Sequence, residues 1–334
     1  MTDFRHIVGN KRIIKSMQSA VKNSMVSHAY IISGGEGCGK KLLASAFAKT
    51  LLCDSGGEDA CGECVSCRAF EDGNNPDVKF VRPTKTKALS VDDVREQIVS
   101  DISIKPYNHR HKIYIIPKAD TLTVQAQNAL LKTLEEPPEY AVLILLAENT
   151  AAFLETILSR CVTFKIRPLS DVMIKDYLML REKMDERDAA VLAEYSQGSV
   201  GKALEFAHSE EFSSFRDDVR SITANISKMS LFELTAAAKE LEKYRELADV
   251  TDMIYIWYRD VLVYKTTGSE SLVIEKDMLP EITREAENSS FEALYNIPGL
   301  INDTKTRIKQ NVNFVFALEM LFINIKEQLA ETRA

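Results

Sequence analysis

The chain has 334 residues, 45% hydrophobic and 27% charged, and its net charge of −7 is uneven: residues 1–167 hold 22 Lys+Arg against 19 Asp+Glu, the rest 20 against 30. This is the composition of a globular protein of two or three domains; it excludes collagen-like and low-complexity classes, and only the mildly basic first half suits nucleotide or nucleic-acid contact. No apolar run reaches the ~18 residues of a membrane helix and none follows the polar start, so neither a span nor a signal peptide is expected and the cytoplasm is the expected location.

Residues 28–33 form a short apolar strand that runs into Gly34-Gly-Glu-Gly-Cys-Gly-Lys-Lys41, and residues 40–52 follow with Leu43, Ala46, Phe47 and Leu51 at helical spacing. Strand, glycine-rich turn and helix is the context in which G-x-x-x-x-G-K binds phosphate. Backbone N–H groups around Gly34, Gly37 and Gly39 can curl about the oxygens, and Lys40 reaches the β/γ-phosphates. The next position supplies Mg²⁺ with a Ser or Thr hydroxyl in the full motif; here it is Lys41.

Directly after this helix come Cys53, Cys61, Cys64 and Cys67, spaced C-x7-C-x2-C-x2-C. Such clustering in a cytoplasmic chain argues for metal over disulfides, and four thiolates close a tetrahedral site with no open catalytic position. A structural zinc is the expectation, with an iron–sulfur cluster or four idle thiols as alternatives. Cys38 and Cys161 lie outside the cluster.

Further along, 77–82 reads as a strand, Ser90 as the N-cap of a helix over 91–102, 112–116 as a buried strand, 123–136 as a helix stopped by Pro137-Pro138, and 140–147 as a continuous apolar strand. Alternating strand and helix predicts a mostly parallel α/β sheet for residues 1–167. From Leu169 onward the pattern is helical: 171–184, 186–196 and 202–207, then 212–223, 230–244, 248–266, 280–289 and 290–331 with a break at Pro298. Three domains are expected: 1–167 with the cysteine insert at 53–67, 168–209, and 210–334.

Leu130-Leu-Lys-Thr-Leu-Glu-Glu-Pro-Pro138, the triplet Ser159-Arg160-Cys161 and the four-cysteine insert together resemble bacterial clamp-loader AAA+ subunits, over the full length of the chain. The resemblance implies an α/β AAA+ core with phosphate loop and zinc knuckle, a small helical lid and an all-α collar. It implies a heteropentameric ring with gamma/tau and delta subunits that places a sliding clamp on primer-template DNA. Two kinds of subunit share the motifs, the ATP-hydrolysing gamma/tau kind and the delta-prime kind.

Chemistry chooses between them. A hydrolysing member needs the hydroxyl that Lys41 replaces, and an acidic pair after strand 113–116, where Pro117-Lys118 stands and Asp120 comes three residues late. Its polar sensor falls at Glu148 or Asn149, neither the usual threonine, and its lid arginine is Gly201 in Gly198-Ser-Val-Gly201. Each missing group contributes transition-state stabilisation that the others cannot supply. The expectation is a non-hydrolysing delta-prime-type subunit in which Arg160, the family's arginine finger, serves a neighbour's nucleotide site; the bland alternative is a surface arginine capping a helix. Whether the loop still holds ATP or ADP is left open. An active NTPase of the gamma/tau kind and a zinc-dependent nucleic-acid-binding protein with a vestigial loop are the competing classes.

Overall fold

The computed structural model describes residues 3–84, 89–245 and 250–331. By its contacts the chain falls into two compact units, residues 1–189 with 196–203, and residues 190–195 with 204–334. In the first unit the elements run α1 (Lys11–Lys22), β1 (Ala29–Ser33), α2 (Lys40–Leu51), α3 (Val65–Glu71), β2 (Val78–Phe80), α4 (Val91–Val94, continued by a π turn over Arg95–Val99), β3 (Lys112–Ile116), α5 (Val124–Glu135), β4 (Ala141–Ala147), α6 (Glu155–Leu158), β5 (Val162–Lys165) and α7 (Asp171–Tyr177). The five strands form one sheet in the order β2-β3-β4-β1-β5, and every pair is parallel. The α/β core expected from strand–helix alternation is therefore present. The short β5, the amphipathic α1 and the brief α3 and α6 are additions to the predicted elements.

Strands β1, β3 and β4 are buried along their whole length, which is why they read as continuous apolar runs. Alternate side chains feed two cores. Ile31, Tyr114, Ile116, Leu143 and Leu145 pack with Val94, Ile98, Leu130 and Leu134, whereas Tyr30, Ile32, Ile113, Ile115, Val142 and Ile144 pack with Met17, Leu43 and Phe47. Lys112 is buried at the start of β3 and donates to the carbonyls of Asp101 and Ile104, with the Asp101 carboxylate at 2.9 Å. Asp77, 1% exposed, accepts the backbone N–H groups of Tyr107, Asn108 and His109, so one buried carboxylate shapes the loop into β3.

The second unit is helical. It takes in the ends of α8 (Glu186–Tyr195) and α9 (Val200–His208), followed by α10 (Glu211–Thr223), α11 (Leu231–Glu240), α12 (Val250–Thr267), α13 (Leu279–Asn288), α14 (Phe291–Lys309) and α15 (Phe314–Glu331). Helix α12 packs against α10, α13 and α14, and α15 packs on α11 and α14. Trp257 on α12 is buried, as its place in an apolar run suggested. Residues 248 and 249, the start of the helix expected there, lie outside the described residues. One expectation is corrected: α14 runs straight through Pro298, and the break falls at residues 310–313. Proline removes one backbone donor, a cost of ~3 kcal/mol, which the burial of Leu294, Ile297 and Ile301 along the same face offsets. The helix ends instead where Asn311 adopts the left-handed conformation, with φ of 65°, and the Asn313 side chain accepts from Phe316 N–H to start α15.

Ser90 caps α4 as predicted, in a reciprocal box with Asp93. Burial alone would raise the Asp93 pKa, but hydrogen bonds from Thr84 and Ser90 outweigh it and hold the carboxyl down to about 2, against 3.8 for the free side chain. A depressed carboxylate stabilises the fold above its unfolded pKa and loses that contribution as pH falls from about 4 towards 2. Asp93→Asn should therefore lose about 2 kcal/mol at pH 7. In denaturant titrations its deficit against wild type should shrink steadily below pH 4.

Candidate functional site

The carboxyl ends of β1, β3 and β4 open onto a cleft of ≈ 310 Å³ lined by residues that include Glu36, Lys40, Lys41, Lys118, Asp120 and Glu148. Ligands of open parallel sheets bind at this end of the strands. Gly37 and Gly39 take φ of 69° and 91°, conformations that side chains rarely adopt, and Gly39 is the N-cap of α2. These two glycines give the loop its left-handed turns, whereas Gly34 N–H is taken by the sheet, donating to Ala147 O at 3.1 Å.

Its cations are satisfied within the protein. Lys40 Nζ donates to the loop's own carbonyls, Gly34 O at 2.7 Å and Gly35 O at 2.8 Å. Lys41 Nζ lies 5.8 Å from the centre of the Phe80 ring, within cation–π range. At the end of β3, Lys118 is left-handed with φ of 52°, and its carbonyl accepts from the Thr121 hydroxyl. Asp120 reaches the cleft, but its carboxylate accepts Glu148 N–H at 2.9 Å, tying the turn after β3 to the end of β4. Of the two sensor candidates Glu148 lines the cleft, while the Asn149 side chain accepts from Ala151 N–H and serves as a cap.

Gly201 does more than lack an arginine. Its N–H donates to Gly37 O at 3.0 Å, and Ser199 Oγ donates to Glu36 O at 3.1 Å, so Ser199 and the first turn of α9 are hydrogen-bonded onto the phosphate loop. A Cβ at position 201 would stand 2.8 Å from the Gly37 backbone, so glycine is what permits this approach. From sequence Gly201 is a missing side chain; that it is a backbone contact depends on the folded path of 198–201.

The four cysteines converge. Their Sγ atoms all lie within 4.8 Å of one another, with Cys61 and Cys67 at 4.0 Å. Thiolates ~2.3 Å from a tetrahedral Zn²⁺ stand about 3.8 Å apart, so the donor set fits such an ion. Backbone N–H groups of Cys61, Glu63, Cys64 and Cys67 point at sulfurs of the cluster at 3.3 to 3.4 Å, as anionic sulfur requires. Hydrogen bonds from Ser55 and from the Glu63 and Cys64 amides lower the Cys61 thiol to about 6, whereas burial pushes Cys67 up. The cluster is anchored to the phosphate-loop helix: Lys49 on α2, 2% exposed, pairs with Glu71 on α3 at 2.6 Å.

Arg160 lies just after α6. Its Nη1 donates to Thr156 O at 2.9 Å and to Ser159 Oγ at 3.3 Å, and Nη2 lies 2.9 Å from Glu135 Oε1. The side chain remains 34% exposed. From sequence alone Glu135 reads as a solvated helix residue, because the spacing along α5 carries no information about which distant side chain the fold brings beside it.

The family model described as DNA polymerase III, delta subunit, matches residues 9–170. The delta' subunit of DNA polymerase III from Bacillus subtilis is 30% identical over 321 residues, covering 95% of this chain and 96% of its own. The tau subunit from the same organism is also 30% identical, over 92% of this chain, although this chain spans only 58% of that longer protein. A gamma subunit from Buchnera aphidicola is 28% identical, with 90% of each chain covered.

Gly201→Ala should force the turn away from Gly37 and cost about 1–3 kcal/mol, the usual range for overpacking a closed contact. Chemical denaturation reads the loss, and amide exchange at Gly201 should accelerate. An unchanged midpoint with unchanged exchange would show that this contact contributes nothing.

Proposed function

This chain belongs to the bacterial DNA polymerase III clamp-loader family, and from that premise we propose that it is the non-hydrolysing, delta-prime subunit of the loader. The observation that carries the reading is the state of the cleft. Where a hydrolytic site holds Mg²⁺ between a hydroxyl and an acid, this one has Lys41 and Pro117-Lys118, and Asp120, the nearest acid after β3, is occupied by Glu148 N–H. Cations in place of metal ligands leave the charge developing on a transferred phosphoryl group without its divalent partner. Ser199 and the first turn of α9, bonded to the loop, support a static rather than a cycling site.

In this role residues 1–167 form the AAA+ core, 168–209 the lid and 210–334 the collar that packs with the gamma/tau and delta subunits. Arg160 stands in trans at the nucleotide site of the adjacent ATPase subunit, where a guanidinium neutralises charge on the γ-phosphate during transfer. The assembled ring opens the sliding clamp and sets it on primer-template DNA, with contacts to backbone phosphates that tolerate any sequence. The chain alone should show no ATP turnover. Reconstituted with gamma/tau and delta subunits, Arg160→Ala should assemble normally yet slow the one site it serves by about 10³-fold. Hydrolysis by the purified chain at roughly 1 s⁻¹ would instead establish the gamma/tau kind.

We propose zinc for the cysteine cluster, held by Cys53, Cys61, Cys64 and Cys67. A closed four-thiolate site supplies a structural cross-link and no open position for chemistry. Metal analysis should give one zinc per chain. Cys64→Ser should release it and lower the melting temperature, since structural metal binding is folding free energy; full stability after the metal is stripped would overturn the assignment.

A further inference from the structure

We infer that Glu135 is the positioning residue for Arg160, so that the unit offered to a neighbouring nucleotide site is the pair rather than the arginine alone. The inference rests on the arginine-finger reading above. Three groups from two parts of the fold hold the guanidinium: Thr156 O and Ser159 Oγ, close in sequence, accept from Nη1, and the Glu135 carboxylate at the end of α5 forms an ion pair with Nη2 at 2.9 Å. The first two are local and could rotate with Arg160. Glu135 is the tether to a separate, rigid element.

The rigidity comes from the core beneath. Leu130 and Leu134 of α5 and Ile157 of α6 are buried in one cluster, with Leu158 and Cys161 packed against it. The backbones carrying Glu135 and Arg160 are therefore held at a fixed separation by side chains that cannot move independently. The contacts engage Nη1 through two hydrogen bonds and Nη2 through the ion pair.

Helix stability does not account for the glutamate. Glu135 is the last residue of a 12-residue helix. A carboxylate at that end faces the negative pole of the helix dipole, where a cation would be favoured. Its side chain is 51% exposed, so it fills no space in the core. What it provides is an anionic acceptor that orients Arg160.

The test uses the complex reconstituted with gamma/tau and delta subunits, clamp and primed DNA, carrying this chain as wild type, Glu135→Ala, Glu135→Gln, Arg160→Ala, or the Glu135→Ala/Arg160→Ala pair. Gel filtration and melting temperature establish that each variant folds and assembles; if Glu135→Ala does not, Glu135→Gln and its double mutant with Arg160→Ala carry the comparison. Glu135→Ala should slow ATP turnover at the site that Arg160 serves about tenfold through misplacement of the guanidinium, with KM unchanged. Glu135→Gln, whose amide oxygen still accepts from Nη2, should recover most of the rate. The double variant should match Arg160→Ala alone, because Glu135 acts only through the arginine. Wild-type kcat in both Glu135 variants, or a further loss on top of Arg160→Ala, overturns the positioning role and leaves the finger standing. No effect of Arg160→Ala itself overturns the finger and the positioning role together.

Discussion

Gly34 N–H donates to Ala147 O at 3.1 Å and Ile166 N–H to Ser33 O at 2.7 Å, so the backbone ladder joining β4, β1 and β5 continues one step past the strands themselves. That continuation sets where the phosphate loop begins. The register pairs Ser33 with Ala147 on one side and Lys165 on the other, and Ile116 with Leu145 one strand further. Residues far apart in the chain thus arrive at one edge at one height. Because the strands are parallel, all their carboxyl ends open on the same side, and the cleft is a consequence of the ladder.

On that edge the chemistry has been rebuilt around backbone contacts. Asp120 joins the turn after β3 to the end of β4, Lys40 closes on the carbonyls of its own loop, and Gly201 lies against Gly37. In a hydrolytic site the corresponding groups must stay available for metal, phosphate and water. Here they are engaged in contacts that hold the loop in one conformation. The cysteine cluster has the same character: through Lys49 and Glu71 it braces the helix that leaves the phosphate loop.

Much of this is legible without coordinates. The loop motif between strand and helix, the substitutions at Lys41, Pro117 and Lys118, the four cysteines and the Ser90 cap are local patterns whose chemistry does not depend on distant residues. The strands β3 and β4 stand out because burial on both faces demands unbroken apolar runs. Other features are illegible for equally physical reasons. The strand β5 is short and largely exposed, so its Val-Thr-Phe-Lys carries no apolar run. Pro298 misleads because the propensity cost of a helical proline is local, whereas the burial that offsets it along α14 is tertiary.

The sequence by itself determined the family, the parallel α/β class of the first half, the helical second half, and which residues stand at Lys41 and Pro117-Lys118, since each is a matter of which residue stands at a spacing. Only the tertiary structure decided what the replacements do. Asp120 is a strut because β3 and β4 are neighbours; Gly201 is a contact because its turn comes back onto Gly37; Glu135 meets Arg160 because α5 and α6 share a buried cluster. Such pairings join residues 25 or more positions apart, and no local pattern encodes them: they exist only once the ladder and the two cores have closed.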